Sequence, residues 1–204
     1  MKRASTVPTP RGRPRSFDRE RALERAMLVF WRKGYEAASL SDLTRAMDIY
    51  PPSLYAAFGD KERLYLEAIE LYEKEHWQET ARALDEPRSA RQAVERLLLQ
   101  GAADLTGGEC SGCMLSNAHS ADARLDAKLA ERRALPKRLF KARFDRAVRE
   151  RELARGTDTG ALADFYTAVF QGMAAQARDG APRKSLLATA RAAMRAWPGA
   201  RGAK

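Results

Sequence analysis

The sequence predicts an all-α chain of about nine helices, with three short helices near the N-terminus and a larger bundle after them. Three observations carry that expectation. Apolar residues recur at three- and four-residue spacing in one segment after another, and no strand pattern of the kind a βαβ unit needs is visible. Ser, Asp, Gly and Pro fall where helices start and stop. The composition, 45% hydrophobic and 31% charged over 204 residues, supplies a core and suits a helix-rich soluble fold. No run approaches the roughly 20 apolar residues a membrane span needs, and no apolar signal region opens the chain, so the cytosol is the expected compartment.

Residues 1–16 are rich in Pro, Arg and Ser without helical period and read as a disordered basic arm. Asp18 is placed to cap the first helix, where Ala22, Leu23, Ala26, Met27, Phe30 and Trp31 share a face and which Gly34 stops. Trp31 and Tyr35 read as core, since large aromatics on an amphipathic face usually pack. Ser39, with Asp42 three residues on, has capping-box spacing. Leu40, Leu43 and Met47 follow on one inward face, and Asp48 can take the left-handed turn that closes this second helix. Pro51-Pro52 restart the chain, because the residue before a proline favours extended geometry and proline suits the first helical position. Leu54 and Phe58 then face inward at i, i+4, leaving Ser53, Tyr55, Ala56 and Ala57 on other faces. Gly59 ends the third helix and Asp60 caps the next.

Two short helices joined by a tight turn make a helix-turn-helix, whose second helix is narrow enough to enter a major groove. Ser53 and Tyr55 can bond phosphate or base edges, Ala56 and Ala57 permit close approach to thymine methyl groups, and Lys61 can reach a phosphate. Charge agrees with a polyanionic partner: the chain carries a net +10, and 13 Lys or Arg against 8 Asp or Glu lie between Met1 and Leu64. Charge alone leaves nucleic acid and anionic membrane open; the helix-turn-helix spacing favours the first. The arginines of R-G-R-P-R, Arg11, Arg13 and Arg15, read either as an arm entering the minor groove or as a solvated tail on phosphate.

Beyond Lys61 the period runs through Leu64, Ala68, Leu71, Tyr72 and toward Trp77, a helix of about twenty residues broken at Asp85-Glu86-Pro87. Another spans roughly Ser89 to Leu105, closed by Gly107-Gly108 and a loop reading E-C-S-G-C-M. A charged helix begins after Ser120, carries Leu125, Leu129, Leu135, Leu139, Phe140, Phe144 and Val148, is kinked by Pro136 and ends at Gly156. Asp158 or Thr159 opens a helix with Leu162, Phe165, Tyr166, Val169, Phe170 and Met173. The last starts near Ala181, buries Leu186, Leu187, Ala190, Ala193 and Met194, and stops at Trp197-Pro198.

The spacing G-Y-x-x-x-S-L-x-x-L followed by S-L-Y-x-x-F-x-x-K-E-x-L, carried by Phe30, Gly34, Tyr35, Ser39, Leu43, Ile49, Ser53, Leu54, Tyr55, Phe58, Lys61, Glu62 and Leu64, resembles the DNA-binding half of TetR/AcrR-family transcriptional regulators. The resemblance implies an N-terminal helix-turn-helix domain over 17–62, a helical ligand-binding and dimerisation domain over 63–198, and a frayed tail over 199–204. It further implies a homodimer through the last two helices, a near-palindromic double-stranded operator, and repression relieved by an unknown small-molecule effector. With no strand pattern for a thioredoxin-like C-x-x-C and no Ser or Cys setting for His76 and His119, no enzymatic activity, cofactor or metal is expected. The implied DNA contacts are Ser39, Ser41, Tyr50, Pro51, Pro52, Ser53, Tyr55, Ala56, Ala57 and Lys61. Two positions depart from the family pattern. Asp48 stands where Gly is usual, and Pro51 where a polar or basic residue commonly precedes the Pro-Ser pair, which shifts base readout toward Tyr50 and Ser53.

Candidate ligand-lining residues in the bundle are Trp77, Met114, His119, Phe144, Phe165, Tyr166, Phe170 and Gln171; for any one aromatic, core packing is the favoured reading, because stripes at this spacing are core by default. Cys110 and Cys113 read as a thiol switch open to oxidation or alkylation, or as a loop residue (Cys110) and a small core residue (Cys113). With His119 they give three ligands, short of a structural zinc site. A rival reading is an architectural protein binding DNA without sequence preference.

Overall fold

In the computed structural model of the chain, residues 17–85 and 89–198 are described. The arm with Arg11, Arg13 and Arg15, residues 86–88 and the tail 199–204 lie outside them. Among the described residues the fold is all-helical. The N-terminal group is α1 (Arg19–Ala37), α2 (Leu40–Met47) and α3 (Pro51–Phe58). Then α4 (Lys61–Tyr72) runs through a π turn (Glu73–Trp77) into α5 (Gln78–Asp85) without leaving helical backbone. The bundle continues with α6 (Ala90–Asp104), a 3-10 turn (Leu115–Asn117), α7 (Ala123–Arg133), α8 (Leu135–Arg149), α9 (Thr159–Arg178) and α10 (Arg183–Arg195). With α4 and α5 taken as one rod, nine helices are described, the number the sequence predicts.

Helices start where a side-chain oxygen can satisfy free amides. Asp18, Ser39, Asp60, Ser89, Asp122 and Asp158 each accept a backbone N–H of the first turn. Other ends differ from expectation for local reasons. Gly34 (φ 74°, ψ 174°) kinks α1, which continues one turn to Ala37. Leu40 does not face inward: it is 36% exposed at the first position of α2, beside exposed Ser39 and Ser41. The kink expected at Pro136 is a full break at Ala134, which lets the proline occupy the first turn of α8, where its missing N–H is not needed. Gly156 does not end α8, because Arg151 turns left-handed (φ 64°) just past Arg149 and the Glu152 and Leu153 amides fold back onto the Ala147 carbonyl. The Glu152 carboxylate then accepts from the Ala90 amide and from buried Arg143, tying the start of α6 to the end of α8.

One apolar core runs from Ala26 and Phe30 of α1 through Leu54 and Phe58 of α3 and Leu64 of α4 to Phe144, Tyr166 and Met194 in the bundle. Ion pairs reinforce the join: Glu62 meets Arg124 at 3.0 Å and Lys128 at 2.8 Å, and Arg132 spans Glu70 at 2.7 Å and Glu73 at 2.6 Å. Among the described residues, no helix is long and apolar enough to cross a membrane.

Lys33 and then Ser39 hold the Asp42 carboxyl well below the usual range; Lys128 lowers Glu62, and Arg133 lowers Asp126. A carboxyl lowered on folding stabilises the fold above its ordinary value, about pH 4, and that contribution is lost as pH falls through the lowered one. Thermal melts followed by circular dichroism should therefore show a midpoint that drops below about pH 4. Asp42→Asn should flatten part of that drop; an unchanged acid profile in the variant would remove Asp42 from the account.

Candidate nucleic-acid interface and bundle cavity

The geometry of α2 and α3 is set before any partner arrives. Ser39 Oγ accepts the Asp42 amide at 3.0 Å and donates to its carboxylate at 2.7 Å, while the Ser39 amide donates to the same carboxylate at 3.1 Å. Lys33 of α1 meets that carboxylate at 2.8 Å, so the start of α2 is pinned to α1. Asp48 takes the left-handed conformation (φ 57°, ψ 47°), and Tyr50 is extended before Pro51, its carbonyl accepting the Ser53 and Leu54 amides at 2.9 and 3.2 Å.

Leu54 and Phe58 are fully buried, and this fixes what α3 offers outward. Tyr50 is 82% and Tyr55 48% exposed. Pro51, Pro52 and Ala56 are exposed, Ser53 and Ala57 half-buried. Two exposed phenols thus share the outward surface of α3 with small side chains, placing donors and acceptors beside residues that permit close approach. Ser39 is exposed but engaged in its cap, and Ser41 is exposed beside it. Lys61 is less free than its position suggests: Nζ lies 4.4 Å above the Tyr35 ring and 3.4 Å from the Glu36 carbonyl.

Arg19 is a positioning residue that apolar periodicity does not reveal. Its guanidinium sits 4.3 Å over the Phe58 ring, donates to the Ala57 carbonyl at 3.3 Å and pairs with Glu67 at 2.6 Å. The end of α3 is thereby clamped between α1 and α4.

In the bundle, a cavity of about 430 Å³ is lined by Trp31 of α1, Tyr72 of α4, His76 and Trp77 of the π turn, Gln100 and Asp104 of α6, and Phe170 of α9, among others. Of the candidates named from sequence it brings together Trp77 and Phe170 only. Phe144 and Tyr166 pack in the core against Phe140 and Trp197 instead, and Met114 is buried elsewhere. Phe165 is 41% exposed, and His119 lies at the surface beside Asp126. Gln171, half-buried, is not in the lining. Periodicity read Trp31 and Tyr72 as core, since only the packing of α1 and α4 against α6 and α9 puts them beside open space, and it passed over His76, which lies inside the π turn. One signal was present: Gly101, inside α6, leaves room for Phe170, whose ring a Cβ there would touch at 3.4 Å.

The two thiols are covered. Cys113 is fully buried and accepts from the Tyr72 hydroxyl at 3.3 Å; Cys110 is 6% exposed, and burial pushes its thiol up. Gly112 between them (φ 81°) lies against α9, where a Cβ would come within 2.8 Å of the Ala174 carbonyl. Among the described residues, no group of three or more His, Cys, Asp or Glu is placed to hold a metal ion.

A short helix anchored by two buried side chains, preceded by a capped helix and a left-handed turn, makes this a helix-turn-helix protein of the DNA-binding, transcription-regulating kind. The chain belongs to the TetR family. The family model "Bacterial regulatory proteins, tetR family" matches residues 22–68. The chain is 33% identical over 198 residues to the Escherichia coli HTH-type transcriptional repressor ComR, covering 94% of each. It is 32% identical over 192 residues to the E. coli repressor BdcR, covering 93% of this chain and 92% of that one. A solved structure of the TetR-family regulator CifR, a cysteine mutant complexed with 26 bp double-strand operator DNA, is 45% identical with a TM-score of 0.87, covering 91% of this chain and 100% of that chain. These relatives are transcriptional regulators.

The left-handed turn at Asp48 gives a direct test of the interface scaffold. Asp48→Gly should leave thermal stability unchanged or raise it, whereas Asp48→Val should cost about 1 to 2 kcal/mol in denaturant titration, since a branched side chain resists that conformation. Equal stability of the two variants would mean the turn does not set the α2–α3 geometry.

Proposed function

We propose that this chain is a homodimeric repressor that reads a near-palindromic operator by placing Pro52 to Phe58 in the major groove, and that an effector in the bundle cavity releases it. The carrying observation is the presentation of α3: Leu54 and Phe58 are buried while Tyr50 is 82% and Tyr55 48% exposed. In this reading residues 17–62 bind DNA, with Tyr50, Ser53, Tyr55, Ala56 and Ala57 at the bases and Ser39, Ser41 and Lys61 toward phosphate. Arg11, Arg13 and Arg15 extend the contact into the minor groove. The repressors ComR and BdcR and the operator-bound CifR support it by kinship.

Dimerisation falls to the outer face of α9 and α10 in the unit 63–198. Ala161, Phe165, Ala168 and Gly172 are exposed at helical spacing on α9, with Ala188 and Ala192 exposed on α10. Ala174 and Ala193 are buried within the protomer. A two-fold pair would set two copies of α3 about 34 to 36 Å apart, one helical turn of DNA. The effector acts by population shift, favouring the spacing that fits the operator less well; such coupling is typically about 1 to 3 kcal/mol, roughly 5- to 150-fold in affinity. Burial of Cys110 and Cys113 counts against thiol chemistry as the trigger.

Selection of bound fragments from the source genome tests the reading. A repressor of this kind should prefer its selected site over random DNA by at least roughly 1,000-fold at one salt concentration, while comparable affinities would indicate an architectural binder. Tyr50→Ala and Tyr55→Ala should each weaken selected-site binding by roughly tenfold, within the range for a base or phosphate contact, with the dimer intact by sedimentation. Full binding by both variants would remove α3 from the groove. Phe165→Glu should yield monomers by the same sedimentation measurement, and a dimer that survives it would place the interface elsewhere.

A further inference from the structure

We infer that the bundle cavity takes a flat aromatic organic cation, an inference that rests on the effector reading above and gives that effector a chemical class. Five ring side chains line the space: Trp31, Tyr72, His76, Trp77 and Phe170. Trp31 stands edge-on to Tyr72 at 4.9 Å and to His76 at 5.4 Å, and Trp77 edge-on to Phe170 at 5.3 Å, so two ring clusters belong to its wall. Ring faces carry the negative part of an aromatic quadrupole and attract cations, most strongly at Trp and Tyr.

The ionic lining has the same sign. Glu75 and Asp104 contribute two carboxylates against the single guanidinium of Arg96, a local reversal in a chain whose net charge is +10. The Asp104 carboxylate is oriented by the Gln100 amide, whose Nε2 donates to it at 2.9 Å. A flat cation can stack among the rings and turn its charge toward Asp104 and Glu75. A neutral compound of the same shape would gain only the stacking, and an anion would meet π faces and two carboxylates with Arg96 alone to offset them. The volume, about 430 Å³, lies in the range of small-molecule sites.

The effector role and the ligand class separate experimentally. Isothermal titration of the full-length protein without DNA would compare three tricyclic probes of matched shape: N-methylacridinium, 9-anthracenemethanol and anthracene-9-carboxylate. The cation should bind at least about tenfold more tightly than either of the others, the scale expected of desolvated cation–π contact plus a nearby carboxylate. Asp104→Asn and Glu75→Gln, both at exposed positions, should each weaken the cation several-fold and leave the neutral probe unchanged, with melting curves confirming the fold. Equal or tighter binding of the neutral or anionic probe, or no binding of the cation, overturns the inference. Quenching of Trp31 and Trp77, two of the three tryptophans, reports the location independently. Tight cation binding that leaves a labelled, genome-selected fragment bound would preserve the ligand class and defeat the effector role.

Discussion

The presentation of the third helix depends on one constraint, the burial of Leu54 and Phe58 in the core shared with α1, α2 and α4. An eight-residue helix is too short to persist alone in water, so its shape comes from packing. Burying two such side chains stabilises by about 1.5 to 3 kcal/mol each, more than propensity supplies over so few residues. That anchorage also decides orientation. With one stripe committed to the core, Tyr50 before α3 and Tyr55 within it are left exposed, and Arg19 fixes the far end by stacking on Phe58 and binding the Ala57 carbonyl.

The same packing brings the two halves of the chain within one side chain of each other. Trp31 lies on α1, the helix that holds Arg19, yet it walls the cavity in the bundle. A path of direct contacts therefore runs from the cavity through α1 to the end of α3. Ion pairs from α7 to Glu62, Glu70 and Glu73 grip α4 along its length, so a shift of that rod would be felt by α7.

Much of this was legible in the sequence, and the failures share a cause. Caps at Asp18, Ser39, Asp60 and Asp158, the left-handed Asp48 and the proline restart are local features, written in a few neighbouring residues, and the structure has them where the spacing puts them. The buried pair Leu54 and Phe58 followed from helical period alone. What escaped was set by distant partners. Arg19 looks like any charged residue of an amphipathic helix until Phe58 and Glu67 are placed beside it. Phe144 and Tyr166 share the periodicity of Phe170, but only the packing of α8, α9 and Trp197 decides which rings close on one another and which border open space.

The π turn from Glu73 to Trp77 has a geometric meaning of its own. Tyr72 and Trp77 are five residues apart and both buried, whereas in a regular α-helix that separation would point them about 140° away from each other. The wider turn holds the surplus arc, so rod pitch and cavity shape are a single coordinate. Tightening the coil to ordinary pitch would swing Trp77 out of the wall and rotate everything beyond it. That one wide turn therefore sets the register between the two segments of the rod.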